Sequence, residues 1–235
     1  VGAVDCGSSS GRQFCSERGI RNFPTLQVAI DGESTGYNGV ADARFIRDFV
    51  LDSLPGEHVA NLRRRDQADA FLAKECRKSE WGVCGVLFTP KYDTSAALKA
   101  LAFRYRGRVA IGEVRGKNDA VAKSFHVSTY PSLVFYCGGD ANVSFLYEGE
   151  LKAEPLDAFV KGLRDGSKCQ EAVKSKAQSE RKAATLRPDD DFSKFRVREL
   201  RELLLLHGDA CDGCVEKVDF ERRLREVVDA ASQGR

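Results

Sequence analysis

The pattern that organises this chain runs from Val109 to Tyr136. An apolar run, Val109 to Val114, precedes a short helical pattern at Ala120, Val121, Ser124 and Phe125, then Tyr130-Pro131 and a second apolar run, Leu133 to Tyr136. Short apolar runs read as strands and three-to-four spacing as helix. Proline has no N–H to offer a ladder, so Pro131 falls where a strand begins. The same order of strand, helix, proline corner and strand occurs near the start: VGAVDC, then QFCSERGIRNFPTLQVAI, with Phe23-Pro24 in the place of Tyr130-Pro131. Beyond the prolines, Tyr37-Asn-Gly39 precedes the helical run Ala43 to Leu54, and Tyr147-Glu-Gly149 precedes Pro155 to Leu163. Matching features stand about 110 residues apart, the size of a small domain rather than of a solenoid unit. The repeat predicts two α/β domains in tandem.

Residues 57–166 carry the fuller copy. His58 to Leu62 reads as a first strand, and Asp66 starts a helix whose Ala70, Phe71 and Ala73 lead to Cys76. Val83 to Phe88 is apolar throughout, as expected of a strand buried on both faces. Residues 1–56 supply less: a strand at Gly2 to Asp5, a helix near Gln13 to Arg18, strands at Thr25 to Ile30 and Gly36-Tyr37, and a last helix. Residues 167–192, rich in Lys, Glu, Ala, Ser and Gln, read as a charged linker, helical in part. In residues 193–235, Phe195, Val197, Leu200, Leu203, Leu204 and Leu206 form a stripe that His207-Gly208 stops. A second amphipathic helix, Asp219 to Val228, turns Phe220, Leu224, Val227 and Val228 inward.

Composition adds bounds. The chain has 235 residues, 42% of them hydrophobic, and a net charge of +2, so it can bury one or two cores and its overall field selects no partner. No apolar run reaches membrane-spanning length, and no membrane partner is expected. The sequence holds no methionine, which leads us to expect a piece of a longer protein. Eight cysteines are many for a reducing compartment and ordinary for a secretory one.

VGAVDC…FC…GIRNFPTL resembles the third strand, third helix and cis-proline corner of the thioredoxin fold as repeated in the protein disulfide isomerases. That resemblance implies that Pro24 and Pro131 are cis and that Phe23, Pro24, Tyr130 and Pro131 form substrate-binding surfaces beside the place of a redox cysteine pair. It implies that residues 1–56 lack the first strands of their domain and do not close a sheet alone. In residues 57–166 the positions of the family's Cys-x-x-Cys are Tyr92, Asp93, Thr94 and Ser95, so this domain has no thiol with which to react. His126, beside Phe125, reads as a surface or core-edge side chain rather than a base. The family often closes a Cys6–Cys15 bridge after this strand. Cys76 and Cys84 are placed to bridge, and Cys137 and Cys169 remain, with Cys137 facing Cys84 as the alternative. These six are expected as structural disulfides, the bland alternative being buried free thiols.

VRELRELLLLHGDACDGCVEKVDFERRLREV resembles a SAP-type helix-loop-helix, and in particular the C-terminal domains of the mesencephalic astrocyte-derived neurotrophic factor family, at Gly208, Cys211, Gly213, Cys214, Glu216, Lys217 and Asp219. Cys211 and Cys214 are the candidate catalytic redox pair, since a thiolate before a helix is stabilised. A structural clip is the plain alternative. Zinc held with His207 is a third, but a closed site needs four ligands and the sequence positions no second pair. No metal and no cofactor are expected.

The fold class expected is therefore α/β, thioredoxin-like domains, the first incomplete, followed by a small all-α module. The resemblance implies a disulfide-isomerase-like folding factor of the endoplasmic reticulum or secretory pathway. Its partners would be unfolded or disulfide-containing clients and chaperones, and its main thiol–disulfide exchange would lie upstream of Val1. The alternatives are a J-domain-type co-chaperone arm, a non-catalytic scaffold, or a SAP-type nucleic-acid binder. The last is disfavoured because Glu199, Glu202, Glu221 and Glu226 interrupt the basic face of Arg196, Arg198, Arg201, Arg222, Arg223 and Arg225.

Overall fold

The structure, a computed structural model, describes residues 2–125 and 127–233. His126 lies outside the described residues. The chain divides into two units, Val1–Pro55 and Gly56–Arg235.

In the first unit, α1 (Ser9–Glu17) is capped by Ser8, whose hydroxyl accepts the Gly11 N–H. The Cys6–Cys15 disulfide ties the approach of the chain to this helix. Strands β1 (Leu26–Ile30) and β2 (Glu33–Tyr37) pair antiparallel through Asp31-Gly32, both at positive φ (49° and 91°), the combination a two-residue primed turn requires. Helix α2 (Ala43–Asp52) starts at its Asp42 cap. Gly2 to Asp5, read from the sequence as a strand, pairs with no strand among the described residues. Apolar alternation alone does not make a strand where no ladder partner lies beside it.

The second unit is built on a five-stranded sheet of order β3-β5-β4-β6-β7, with β3 (Val59–Asn61), β4 (Val83–Phe88), β5 (Val109–Val114), β6 (Ser132–Cys137) and β7 (Asp140–Tyr147). β3, β5 and β4 run parallel, while β6 and β7 are antiparallel, which is the thioredoxin arrangement. Every residue of β4 and β6 is buried, and the period of two divides them between two cores. Val83 and Leu87 pack with Leu98 and Leu101 of α4 (Ala96–Arg104) and with Leu156 and Val160 of α6 (Ala153–Gly162). Cys84, Val86 and Phe88 pack on the other side with Phe71, Leu72 and Val121. These last come from the segment of α3 (Arg65–Ala70), continued by a π-helical turn Phe71–Cys76, and from α5 (Asp119–Ser124). Cys76 and Cys84 join inside this second core, both fully enclosed. On the opposite face Gly85 leaves room in the first core, since a Cβ would stand 2.9 Å from the ring of Phe135.

Tyr-x-Gly of the repeat has one structural cause in both units. The Tyr37 hydroxyl donates to Val40 O at 2.7 Å and the Tyr147 hydroxyl to Glu150 O at 3.0 Å. The ring thus folds back across the corner, and a Cβ at Gly39 or Gly149 would collide with it.

Most of the stretch read as a charged, partly helical linker is one continuous helix, α7 (Ser167–Thr185). The Cys137–Cys169 disulfide fastens its start to the end of β6, where Ala172 packs on Cys137 and Val143. Ala183, near its other end, enters the C-terminal core. That core gathers Phe192 of a short 3-10 turn, Leu200, Leu203 and Leu204 of α8 (Val197–Leu206), and Phe220, Leu224 and Val228 of α9 (Lys217–Gln233). Val197 and Leu206, at the two ends of the α8 stripe, remain 38% and 41% exposed.

Candidate functional site

Both proline corners are cis, at Phe23-Pro24 and Tyr130-Pro131. Phe23 is 65% exposed, and Pro24 and Pro131 are exposed. Tyr130 is half-buried and packs on the second core of the sheet. Its hydroxyl donates to Asp119 Oδ1 at 2.9 Å. Burial first, and then the Asp119 carboxylate, pushes the phenol pKa up to about 12, so this hydroxyl stays protonated and acts as a donor. The Thr129 and Ser132 hydroxyls, 3.1 Å apart, pin the loop on either side of the proline.

The start of α4 holds what stands where the related domains place a dithiol. Tyr92 is 76% exposed. Ser95 caps the helix, its hydroxyl accepting the Leu98 N–H at 3.3 Å. Thr94 donates instead into the protein, to Glu113 Oε1. Glu113 stands inside β5, one residue before its end, with no exposed surface. The same oxygen takes the Arg115 Nε–H at 2.6 Å, and Arg115 Nη1 reaches Tyr92 O at 3.2 Å. A buried carboxylate, a guanidinium and a hydroxyl thus lock the loop that in a redox domain presents its cysteines. Glu113 Oε2 has no hydrogen-bond partner among the described residues. Nothing in the sequence reading singled out Glu113 or Arg115. The available signal was an acidic residue inside a strand otherwise buried on both faces.

Cys211 and Cys214 form a disulfide in the turn between α8 and α9. Cys211 is 7% exposed and packs in the C-terminal core, whereas Cys214 is half-buried. Asp209 shapes the turn, accepting the Cys211 N–H at 2.7 Å and pairing with Arg223 at 2.6 Å. Arg223, followed by that backbone N–H, holds the Asp209 carboxyl below the usual carboxylate range. His207 Nε2 is buried without a partner, and among the described residues no three His, Cys, Asp or Glu side chains gather as a metal site. The arginines read as a basic face are largely engaged within the module. Arg198 pairs with Glu202, Arg222 with Asp219, Arg223 with Asp209 and Glu226, and Arg225 donates to Pro188 O.

The fold and these sites define a class: a thioredoxin-like unit with Tyr92 to Ser95 at the dithiol position and a Glu113–Arg115 pair bonded to that loop, joined to a small helical Cys-x-x-Cys module. Residues 189–230 match the family described as ARMET, C-terminal. Over 167 residues the chain is 25% identical to a Dictyostelium discoideum protein named as a protein disulfide-isomerase, covering 68% of this chain and 39% of that one. Over 145 residues it is 31% identical to protein disulfide isomerase-like 1-4 of Oryza sativa subsp. japonica, covering 60% of this chain and 24% of the relative. A crystal structure of ERdj5, form II, superposes with a TM-score of 0.49 at 20% identity, over 68% of this chain and 22% of that one. The chain spans well under half the length of these curated relatives. It is disulfide-isomerase-like in its thioredoxin fold and ARMET-like in its C-terminal module.

Proposed function

We propose that this chain is the client-holding part of a disulfide-isomerase-like folding factor of the endoplasmic reticulum, and that it binds unfolded polypeptides at its exposed cis-proline corners. One observation carries the reading: the start of α4 has Thr94, bonded to Glu113, and the capping Ser95 where chemistry would need a thiolate, while Pro131 keeps its exposed face. A fold that keeps the binding surface without the nucleophile binds without exchanging disulfides. The similarity to disulfide isomerases supports this over a J-domain co-chaperone arm, and four disulfides with no free cysteine among the described residues support an oxidising compartment.

A second reading, thiol–disulfide exchange at Cys211 and Cys214, is favoured by one feature. Cys214 is only half-buried and lies just ahead of α9, whose N-terminal dipole favours a thiolate. The burial of Cys211 in the C-terminal core opposes it, because an apolar surrounding raises a thiol's pKa.

The test is light scattering from reduced, alkylated lysozyme diluted out of denaturant, a client with no thiol to exchange. The chain is expected to suppress aggregation near equimolar ratio, and Phe23→Ala to require several-fold more protein. No suppression by the unmodified chain would refute the holding reading.

A further inference from the structure

Residues 142–144 read Asn-Val-Ser, and no other asparagine of the chain stands two positions before a serine or threonine. Asparagine two residues ahead of a hydroxyl, with anything but proline between them, accepts N-linked sugar in chains that enter a secretory lumen. Such triplets also arise by chance, so the fold around this one decides whether it can be used. It lies in β7, whose successive side chains point to opposite faces. Val143 turns inward and packs with Cys137 and Ala172, and Tyr147 follows on the same side into the first core. Asn142 and Ser144 turn the other way. Asn142 is exposed and Ser144 half-buried, and both border a groove of about 510 Å³ over this face of the sheet, bounded also by α7 and α8.

A sugar at Asn142 displaces nothing in the core. The residue gives its backbone N–H to Asp140 Oδ1 at 2.8 Å. Its side-chain amide makes a minor contact to the same carboxylate, which Lys176 holds at 2.9 Å. A glycosylated amide keeps one N–H, so both contacts of Asn142 survive the modification. The groove beside it gives the proximal sugars open space. In the folded strand Ser144 is paired with Tyr136, so the motif is read before the β6–β7 ladder closes.

We propose that Asn142 is a modification site and carries an N-linked oligosaccharide. The step is a glycosyl transfer from a sugar carried on a polyprenyl diphosphate. Asn142 Nδ2 forms a bond to the anomeric carbon, the bond from that carbon to the diphosphate oxygen breaks, and the lipid diphosphate leaves with the electron pair. The amide gives up one proton, and nothing is oxidised or reduced. The inference rests on the part of the reading above that puts the chain in the endoplasmic reticulum, where that donor is used. It adds to that reading a bulky, solubilising group on the groove side of β7.

The test is expression of the whole chain behind a cleavable signal peptide in cultured insect cells, with electrophoresis before and after peptide-N-glycosidase. A single slower band that the enzyme collapses is expected, and digestion in heavy-oxygen water should leave a labelled aspartate in place of Asn142 alone. Asn142→Gln and Ser144→Ala should each abolish the slower band, whereas Ser144→Thr should keep it. Asn142→Gln keeps an amide and Ser144→Thr keeps the hydroxyl, so this pattern reads the motif and not a general loss of folding. A slower band that persists in Asn142→Gln overturns the proposal, as does an unshifted band from the unmodified chain. Alkylation of free thiols in the same samples keeps the two readings apart. Eight oxidised cysteines in an unshifted chain leave the compartment standing and sink the glycan alone, while free thiols there sink both. Free thiols in a glycosylated chain keep the glycan and contradict the oxidised, disulfide-bonded state.

Discussion

Arg115→Met is expected to destabilise the thioredoxin-like unit by about 3 kcal/mol, the lower end of the cost of breaking a buried ion pair by removing one partner. The lower end applies because Arg115 keeps 28% of its side chain exposed whereas Glu113 keeps none. Without Arg115, the Glu113 carboxylate retains only Thr94, and its second oxygen already lacks a partner. A buried polar group left without its partner is costly to keep. The double variant Glu113→Gln, Arg115→Met removes the charge together with its partner, and is expected to recover most of the loss. Trp81, the single tryptophan, packs beside Tyr105 at 5.8 Å against the sheet and reports urea unfolding. A single variant within about 0.5 kcal/mol of the unmodified chain, the range of ordinary surface substitutions, would show that the pair does not hold the loop.

Replacing Cys137 and Cys169 by serine is expected to cost about 3–4 kcal/mol, the loop-closure value for a bridge between cysteines separated by 32 positions. The effect should be concentrated in α7. Apart from the bridge, the first turns of that helix are anchored by Ala172 and by the Lys176–Asp140 contact at 2.9 Å. A polar helix with so little buried apolar surface is marginal alone. Amide hydrogen exchange along α7 should accelerate while that of β4 and β5 stays slow. A loss under about 1 kcal/mol, or equal acceleration in the sheet, would contradict this account of the bridge.

How much of this was legible in the sequence depended on how local the cause was. β4 was read with the observed bounds because a strand buried on both faces is apolar at every position, and β5 because only Glu113 interrupts its apolar run. The two proline corners and the Tyr-x-Gly turns were visible because the repeat printed each of them twice. α7 was legible only as a partly helical linker, and its length and packing were not, because it packs through alanines and a disulfide and its composition is that of a solvated segment. The strand expected at Gly2 to Asp5 failed for a related reason, since a ladder partner cannot be read from one segment. Phe192, fully enclosed in the C-terminal core, was overlooked because it precedes the helical stripe in a 3-10 turn. Of the candidate site, the absence of the dithiol at Tyr92 to Ser95 was readable by position. What replaced it was not, because Thr94, Glu113 and Arg115 meet only through the parallel pairing of β4 with β5.

The central claim is that this chain holds clients and that its own disulfides are structural. Thiol trapping with an alkylating reagent, followed by mass spectrometry after equilibration in graded glutathione buffers, tests it most directly. The account predicts that Cys211–Cys214 stays oxidised down to below about −300 mV, as structural bridges do, together with the other three. Half-reduction of that pair at about −180 to −210 mV, the poise of the endoplasmic reticulum, would contradict it and make the C-terminal module a redox centre.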